Sequence, residues 1–257
     1  PHRNDVRHVY INILDLSRVS IAIADKYDAI YHLAAVANVD VVVKNPVESI
    51  AVNVLGVANV LEAMRRNEMR RFILASTIWV YNLVDADRVC ENTPLDLSRI
   101  DHPYIASKIS AESLVMSYSK LYGMETTILR YGIPYGPRAR TATLLANLTN
   151  RVMRGEKVII QGDGLQTRNF IYIKDLAQGN VAALESMAIN QIYNLDGSLP
   201  ISVKTVLEVV ERLTGKKALV EHVPARDGDF RPKIVDCYKA RTQLGWGPVV
   251  NFMEGAA

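Results

Sequence analysis

The sequence predicts an α/β chain built as a doubly wound parallel sheet, and two observations carry that expectation. Short apolar runs alternate with helical stretches over the first half, the pattern of βαβ units whose sheet is covered on both faces. Each run that reads as a strand ends on small or polar residues, which is where an open parallel sheet takes its ligands. In order, residues 8–13 (HVYINI) read as a short strand and 17–26 as a helix. Residues 29–33 are apolar and strand-like. Residues 46–66 form a long helix opened by Pro46 and rich in Ala, Val and Leu. Residues 71–75 (RFILA) read as a strand. A second long helix runs over 103–122, opened by Pro103 and closed by Gly123, and 125–129 (ETTIL) is a further strand. The second half is less regular. Residues 151–155 lead into a strand at 158–160 and a Gly-Asp-Gly turn at 162–164. A helix is expected over 175–187, a strand over 192–195, and an amphipathic helix over 202–214 that ends at Gly215. Residues 224–248 are rich in charge, glycine and proline. No internal repeat or low-complexity tract is visible.

The 257 residues suffice for one large domain or two modest ones, and 49% hydrophobic with 22% charged residues is ordinary for a globular chain. A net charge of +3 is too small and scattered to argue for nucleic acid or a membrane surface. The dense basic patch of Arg65, Arg66, Arg70 and Arg71 reads as a solvated helix end. Cys90 and Cys237 show neither metal-ligand spacing nor a disulfide framework, so no metal is expected and a reducing cytoplasm is. No apolar run reaches transmembrane length and no signal peptide is visible, so no membrane partner is expected. Residues 1–5 read as a mid-protein loop without an initiator Met. The expectation is that an N-terminal segment precedes them, and that a final helix follows the abrupt end at 254–257.

The chemistry is concentrated at Tyr104 and Lys108. On a helix, positions four apart share a face, and a Lys ammonium beside a Tyr favours the phenolate, making Tyr104 a candidate acid/base. Alone, such a pair more often means one residue packed and one solvated. Its weight comes from the strand ends: Asp15-Leu16, His32-Leu33-Ala34-Ala35, Ser76-Thr77 and Arg130-Tyr131-Gly132.

With these residues the chain resembles an extended short-chain dehydrogenase/reductase of the NAD-dependent epimerase/dehydratase family. The matching segments are Tyr31 to Ala35, Asn53 to Gly56, Ser76 to Tyr81, Tyr104 to Lys108, Leu129 to Tyr131, Pro134 to Arg138, Gly162 to Gly164, Arg168 to Asp175, and Leu244 to Trp246 with Pro248. The resemblance implies a Rossmann-type sheet over 1–133, with 166–195 returning to it, and a smaller substrate-binding part from 134–165 and 196–257. It implies that Tyr104 is the catalytic acid/base, that Lys108 bonds the nicotinamide ribose, and that Thr77 bonds the same substrate oxygen as Tyr104. Asp15 and Leu16 would flank the adenine of NAD. Leu33, Ala34 and Ala35 would line its pyrophosphate and ribose. Asn53, Ser76, Tyr131 and Pro134 fall at further cofactor-contacting positions. Arg168, Arg226 and Asp229 match positions that hold the nucleotide of a nucleotide sugar, where a guanidinium suits a diphosphate and a carboxylate suits ribose hydroxyls. Family members pair two long helices per subunit, which implies a homodimer through 46–66 and 103–122.

Three departures shape the expected reaction. The glycine-rich pyrophosphate loop and the acidic selector between NAD and NADP are not in the sequence, so NADP stays open and dinucleotide binding by this chain alone is expected to be poor. Ile78-Trp79 follows Thr77 where 4,6-dehydratases carry Asp-Glu, and neither side chain moves protons. Gly132-Ile133 replaces a pair that usually ends in Asn. What remains is reversible oxidation of one sugar carbon, giving C4 epimerisation of a UDP-sugar through a 4-keto intermediate. The alternatives are a nucleotide-sugar reductase or decarboxylase on the same scaffold, or a non-catalytic NAD-binding member.

Overall fold

The computed structural model describes residues 6–25, 27–197, 199–224 and 233–257. Its elements follow from local chemistry. Helix α1 (Leu16–Ala22) starts at Asp15, whose carboxylate accepts from Arg18 N. Strand β1 (Ile30–His32) leads to α2 (Val39–Lys44), capped by the Asn38 side chain. Pro46 occupies the first turn of α3 (Pro46–Ile50). A π-helical turn (Ala51–Leu55) joins it to α4 (Gly56–Arg66), so 46–66 is one helix with a widened turn at Asn53. Strand β2 (Arg71–Thr77) passes into a 3₁₀ turn (Ile78–Leu83) and the short β3 (Arg88–Val89). Helix α5 (Pro103–Tyr122) has Pro103 in its first turn, a His102 cap, and Gly123 in the left-handed region at φ 65°. Then come β4 (Glu125–Tyr131), β5 (Ile133–Tyr135), α6 (Leu144–Arg154), β6 (Lys157–Gln161), β7 (Thr167–Tyr172) and α7 (Ile173–Ala182). The chain closes with β8 (Gln191–Leu195), β9 (Pro200–Ser202), α8 (Val203–Thr214), β10 (Leu219–Val223), β11 (Ile234–Val235), α9 (Tyr238–Leu244) and α10 (Phe252–Ala256).

The chain divides into two compact units: Pro1–Ser76 with Ile100–Ile128 and Ile189–Gln191, and Thr77–Arg99 with Leu129–Ala188 and Ile192–Ala257. Strands β1, β2, β4 and β8 form a sheet in that order, with β1 and β2 parallel and His32 opposite Leu74. This is the parallel α/β sheet expected from the strand–helix alternation. In the first unit α4 packs on α1 and α5, and α5 also packs on the π turn, α2 and α3. Phe72, Ile73, Leu74, Leu61, Met64 and Ile105 are buried there. The second unit holds the sheet β5-β7-β9 and the parallel pairs β10-β6 and β11-β3. Its own core gathers Tyr135, Leu148, Val158, Phe170, Val206 and Val210, with Phe252 of α10 packed against Tyr135 and Phe170.

Several expectations are corrected. Residues 8–13 form no strand, because a strand needs a ladder partner and none pairs with them among the described residues; Val9 and Tyr10 are exposed. The helix expected over 17–26 ends at Ala22, with Ile23 N–H closing back onto Val19 O and Ala24 N–H onto Ile21 O. That expected over 175–187 is α7 followed, after a break, by a 3₁₀ turn at Ser186–Ala188. Helices α2 and α6 were not foreseen. One helix among the described residues, Pro46–Arg66, does have the length and apolar composition to cross a membrane. Half of its most apolar window is buried, and α1 and α5 pack against it.

Glycine positions give a test of the second unit. A Cβ at Gly197 would lie 1.8 Å from the Phe170 carbonyl oxygen, and backbone cannot yield as a side chain can. At Gly215 a Cβ meets nothing within 4 Å, and only φ +68° opposes it. Gly197→Ala should therefore cost more than about 3 kcal/mol in urea unfolding and Gly215→Ala about 1 kcal/mol.

Candidate active site

Helix α5 buries one stripe: Tyr104, Ser107, Lys108, Ala111, Glu112 and Val115. The stripe carries three chemically active side chains on the face that should be apolar, so each must be satisfied locally. Lys108 is only 6% exposed, and its Nζ donates to Ala75 O of β2 at 2.9 Å. Burial pulls its pKa down to about 8, against the pull of the Glu112 charge. Glu112, one turn on, accepts a 2.5 Å hydrogen bond from Ser76 Oγ. Tyr104 is buried near the start of the helix, its N–H donating to His102 Nδ1 at 3.0 Å. Ser107 Oγ donates to Tyr104 O at 2.8 Å and accepts from Asn53 Nδ2 at 3.1 Å. Asn53 in turn exchanges two hydrogen bonds with the Val36 backbone, at 2.8 and 3.1 Å. The π turn thus locks α5 to the loop after β1.

At the carboxyl end of β1, His32 is buried against Phe72, with ring centroids 5.9 Å apart and Nε2 unpartnered. Burial, and then Lys108, push its pKa down to about 4, so it is neutral. Beyond it Leu33 and Ala34 are exposed and Ala35 half-buried. Such a strip of small and apolar residues leaves backbone open to a ligand, next in sequence to the buried His32. The chemistry here is compatible with the dinucleotide implied by the resemblance: an ammonium at Lys108 suits ribose hydroxyls, and the open backbone of Leu33–Ala35 suits a ribose and pyrophosphate. Among the described residues none supplies the glycine-rich pyrophosphate turn. Asp15 is committed as the α1 cap, with Arg18 Nε at 3.5 Å, and Leu16 is half-buried.

In the second unit Thr77 is buried, and its Oγ1 accepts from Trp79 N at 3.2 Å as the cap of the 3₁₀ turn. Ile78 is buried and Trp79 half-buried. Tyr81 OH donates to Asn194 Oδ1 at 2.8 Å and accepts from Arg130 Nη1 at 3.0 Å. Burial, outweighing Arg130, pushes the Tyr81 phenol up to about 12. The Tyr131 hydroxyl donates to Asn180 Oδ1, and Pro134 is exposed. Arg168 is half-buried, its Nη1 donating to Thr167 O at 2.9 Å. Asp196 occupies the space of a side chain at Gly132: a Cβ there would meet Asp196 Oδ1 at 2.1 Å. Asp196 Oδ2 accepts from Asn169 Nδ2 at 2.7 Å, and burial pushes the carboxyl up to about 7. Arg226 and Asp229 lie outside the described residues.

Asn53, Ser76, Tyr104 and Lys108 are therefore gathered within the first unit, and Tyr131, Pro134 and Arg168 belong to the second. Sequence reasoning did not single out Glu112 or Ser107. The signal was present, since both share the helix face of Tyr104 and Lys108. No group of three or more His, Cys, Asp or Glu able to hold a metal occurs among the described residues.

Comparison with known proteins gives consistent relatives. The family model described as the NAD dependent epimerase/dehydratase family matches residues 1–196. Over 231 residues the chain is 34% identical to a UDP-glucuronate 4-epimerase of Thermodesulfobacterium geofontis (strain OPF15), covering 88% of this chain and 69% of the relative. Over another 231 it is 29% identical to a dTDP-glucose 4,6-dehydratase of Streptomyces griseus, covering 90% and 70%. Among solved structures it is similar to the UDP-glucuronic acid 4-epimerase from Bacillus cereus in complex with UDP-glucuronic acid and NAD. The TM-score there is 0.87 at 31% identity, over 96% of this chain and 77% of that one. Similarity to the UDP-glucose 4-epimerase of Thermotoga maritima with UDP-glucose has a TM-score of 0.88 at 29% identity, over 96% and 80%.

Asp196 gives a pH prediction. Its folded value near 7 lies above the unfolded value, so the folded state holds the proton longer. The stability it contributes is complete below about pH 4 and is lost as pH rises to about 7. Asp196→Asn should flatten that part of the urea-derived stability curve.

Proposed function

This chain belongs to the NAD dependent epimerase/dehydratase family, and from that premise we propose that it is a nucleotide-sugar 4-epimerase. The observation that carries the epimerase reading is the pairing of two features. The Tyr104–Lys108 face sits in a built, hydrogen-bonded seat. The residues after Thr77 are Ile78, which is buried, and Trp79. A dehydratase must add and remove protons on the sugar ring beyond the oxidised carbon, and neither Ile nor Trp can do so at neutral pH. The relatives include dehydratases, and this pair supports the epimerase reading over a dehydratase one.

In the proposed reaction Tyr104, as phenolate, takes the proton from the sugar C4 hydroxyl and later returns it to the opposite configuration. The Lys108 ammonium favours that phenolate and bonds the nicotinamide ribose. Thr77 holds the reacting oxygen. NAD, when bound, supplies the acceptor and then the donor of the C4 hydride. Leu33, Ala34, Ala35, Asn53, Ser76, Tyr131 and Pro134, with Asp15 and Leu16 at the adenine, would hold the dinucleotide. Arg168, Arg226 and Asp229 would hold the uridine diphosphate, letting the keto-sugar turn over between the two hydride steps.

The same reading assigns 1–133 with 166–195 to cofactor binding and 134–165 with 196–257 to substrate binding. The separate apolar core of Leu148, Val158, Val206 and Val210 supports the latter. It also takes the protein to be a cytoplasmic homodimer. Val47, Ile50 and Leu55 on the 46–66 helix, with Met116 and Leu121 on α5, leave apolar side chains exposed for a helix-pairing interface.

The test is incubation of the NAD-loaded protein with UDP-glucose, UDP-N-acetylglucosamine and UDP-glucuronate, following the sugar by NMR. The expected product is a C4 epimer without net change in NADH, with Tyr104→Phe lowering kcat by roughly 10²–10⁴-fold. Release of CO₂, net NADH consumption or a 4-keto-6-deoxy sugar would overturn it.

A further inference from the structure

Helix α5 starts on an imidazole. His102 is its N-cap, in extended backbone at φ −139° and ψ 129°, and its Nδ1 accepts from Tyr104 N–H at 3.0 Å. Helix N-caps are commonly Ser, Thr, Asp or Asn, whose oxygens accept a hydrogen bond throughout the neutral range. An imidazole nitrogen accepts only while it carries no proton. A peptide N–H is always a donor, so this bond requires a bare Nδ1, with the ring proton on Nε2. The capped residue is the one that carries the proposed chemistry. Pro103 has no N–H to offer, and Ala106 N–H already bonds His102 O at 3.1 Å. The Tyr104 carbonyl is held as well, by Ser107 Oγ at 2.8 Å, and Asn53 Nδ2 anchors that hydroxyl at 3.1 Å. Side chains therefore fasten both backbone groups of Tyr104. Ser107 and Asn53 do so at any pH, and His102 does not.

We infer that His102 is a positioning residue: its neutral imidazole holds Tyr104 at the start of α5, and a proton on Nδ1 releases it. Once protonated, Nδ1 is a second donor facing the Tyr104 N–H. The imidazolium also stands at the positive end of a 20-residue helix. An ordinary histidine makes this change near about pH 6.5. Asp101 precedes His102, and α5 carries Lys108 and Glu112 further along. Of the elements packed on α5, α2 carries Asp40 and Lys44, α3 carries Glu48, and the π turn carries no titratable residue. The sheet contributes His32 and Arg71. Glu62, Arg65 and Arg66 of α4 belong to the other end of α5, where Arg65 lies over the Tyr122 ring. These groups tune where His102 titrates, and none changes what a proton on Nδ1 does to the bond. The functional meaning rests on the epimerase reading, in which Tyr104 moves the proton. The pH-dependent cap does not.

The test compares wild type with His102→Asn, His102→Ser and His102→Ala between about pH 5 and 8. Urea-unfolding free energies would be measured, with kcat and KM of the NAD-loaded protein on UDP-sugars. Asn and Ser cap a helix without titrating in this range. The unfolded chain has no cap, so its histidine takes the proton freely. The stability from the neutral cap is complete above about pH 7 and is lost as pH falls below about 6.5. The other histidines titrate in every variant and cancel in the difference. The expected result is that acidification lowers the wild-type stability relative to His102→Asn. Wild-type kcat should fall relative to His102→Asn over the same range, with KM little changed. His102→Ala lacks the cap at every pH and should turn over roughly 10-fold more slowly than wild type at pH 8. Wild-type and His102→Asn stabilities that run parallel from pH 8 to pH 5 would overturn the inference. So would a His102→Ala that matches wild type in stability and kcat at pH 8, or a stability step that active enzyme does not mirror in kcat. His102→Ser decides the matter where His102→Asn does not fold. If the stability step appears while no UDP-sugar is epimerised, the proposed function fails and the pH-dependent cap stands.

Discussion

A buried ammonium organises the first unit. Lys108 is enclosed beside β2, and enclosing an ammonium is costly unless its donors and its charge are answered. The Ala75 carbonyl answers a donor, and burial still pulls the Lys108 pKa down to about 8, against the pull of Glu112. Much of the surrounding architecture follows from that need. Ser76 is turned to Glu112, and Asn53 in the π turn bridges the loop after β1 to Ser107. Proline and histidine at the start of α5 set where the helix begins, and so which residues share its buried face.

The second unit meets a similar constraint with different groups. Tyr81, Arg130 and Asn194 satisfy one another in the interior, with Glu91 accepting from Asn194 N. Asp196 fills the room left by Gly132 and leans on Asn169. A side chain absent between β4 and β5 is thus met by a carboxyl just after β8. Ile78 is buried and Trp79 half-buried after Thr77, and neither side chain can carry a proton at neutral pH.

The elements legible in the sequence were those with local punctuation at both ends. Helix 103–122 had Pro103 at its start and Gly123 past its end, and 202–214 had Ser202, whose hydroxyl accepts from Thr205 N, and Gly215. The strand at 71–75 was legible from the apolar run Phe72 to Ala75, although the ladder carries it on to Thr77. Residues 8–13 had the right composition and still form no strand, since a strand exists only with a neighbour to bond. Helix α6 was missed because Thr143 makes no side-chain cap and its start carries no other signal.

The sequence by itself determined the alternation of the sheet, the shared face of Tyr104 and Lys108, and the lack of a proton carrier after Thr77. These are consequences of helical periodicity and of side-chain chemistry, both local. Only the tertiary structure decided that Asn53 and Ser76 spend their polar groups on Val36, Ser107 and Glu112. Only it showed that Asp15 is occupied as a helix cap, and that Glu112 and Asp196 are buried carboxyls bonded to Ser76 and Asn169. Which partner a polar group finds depends on segments distant in the chain, and the cost of burying a charge is set by everything packed around it.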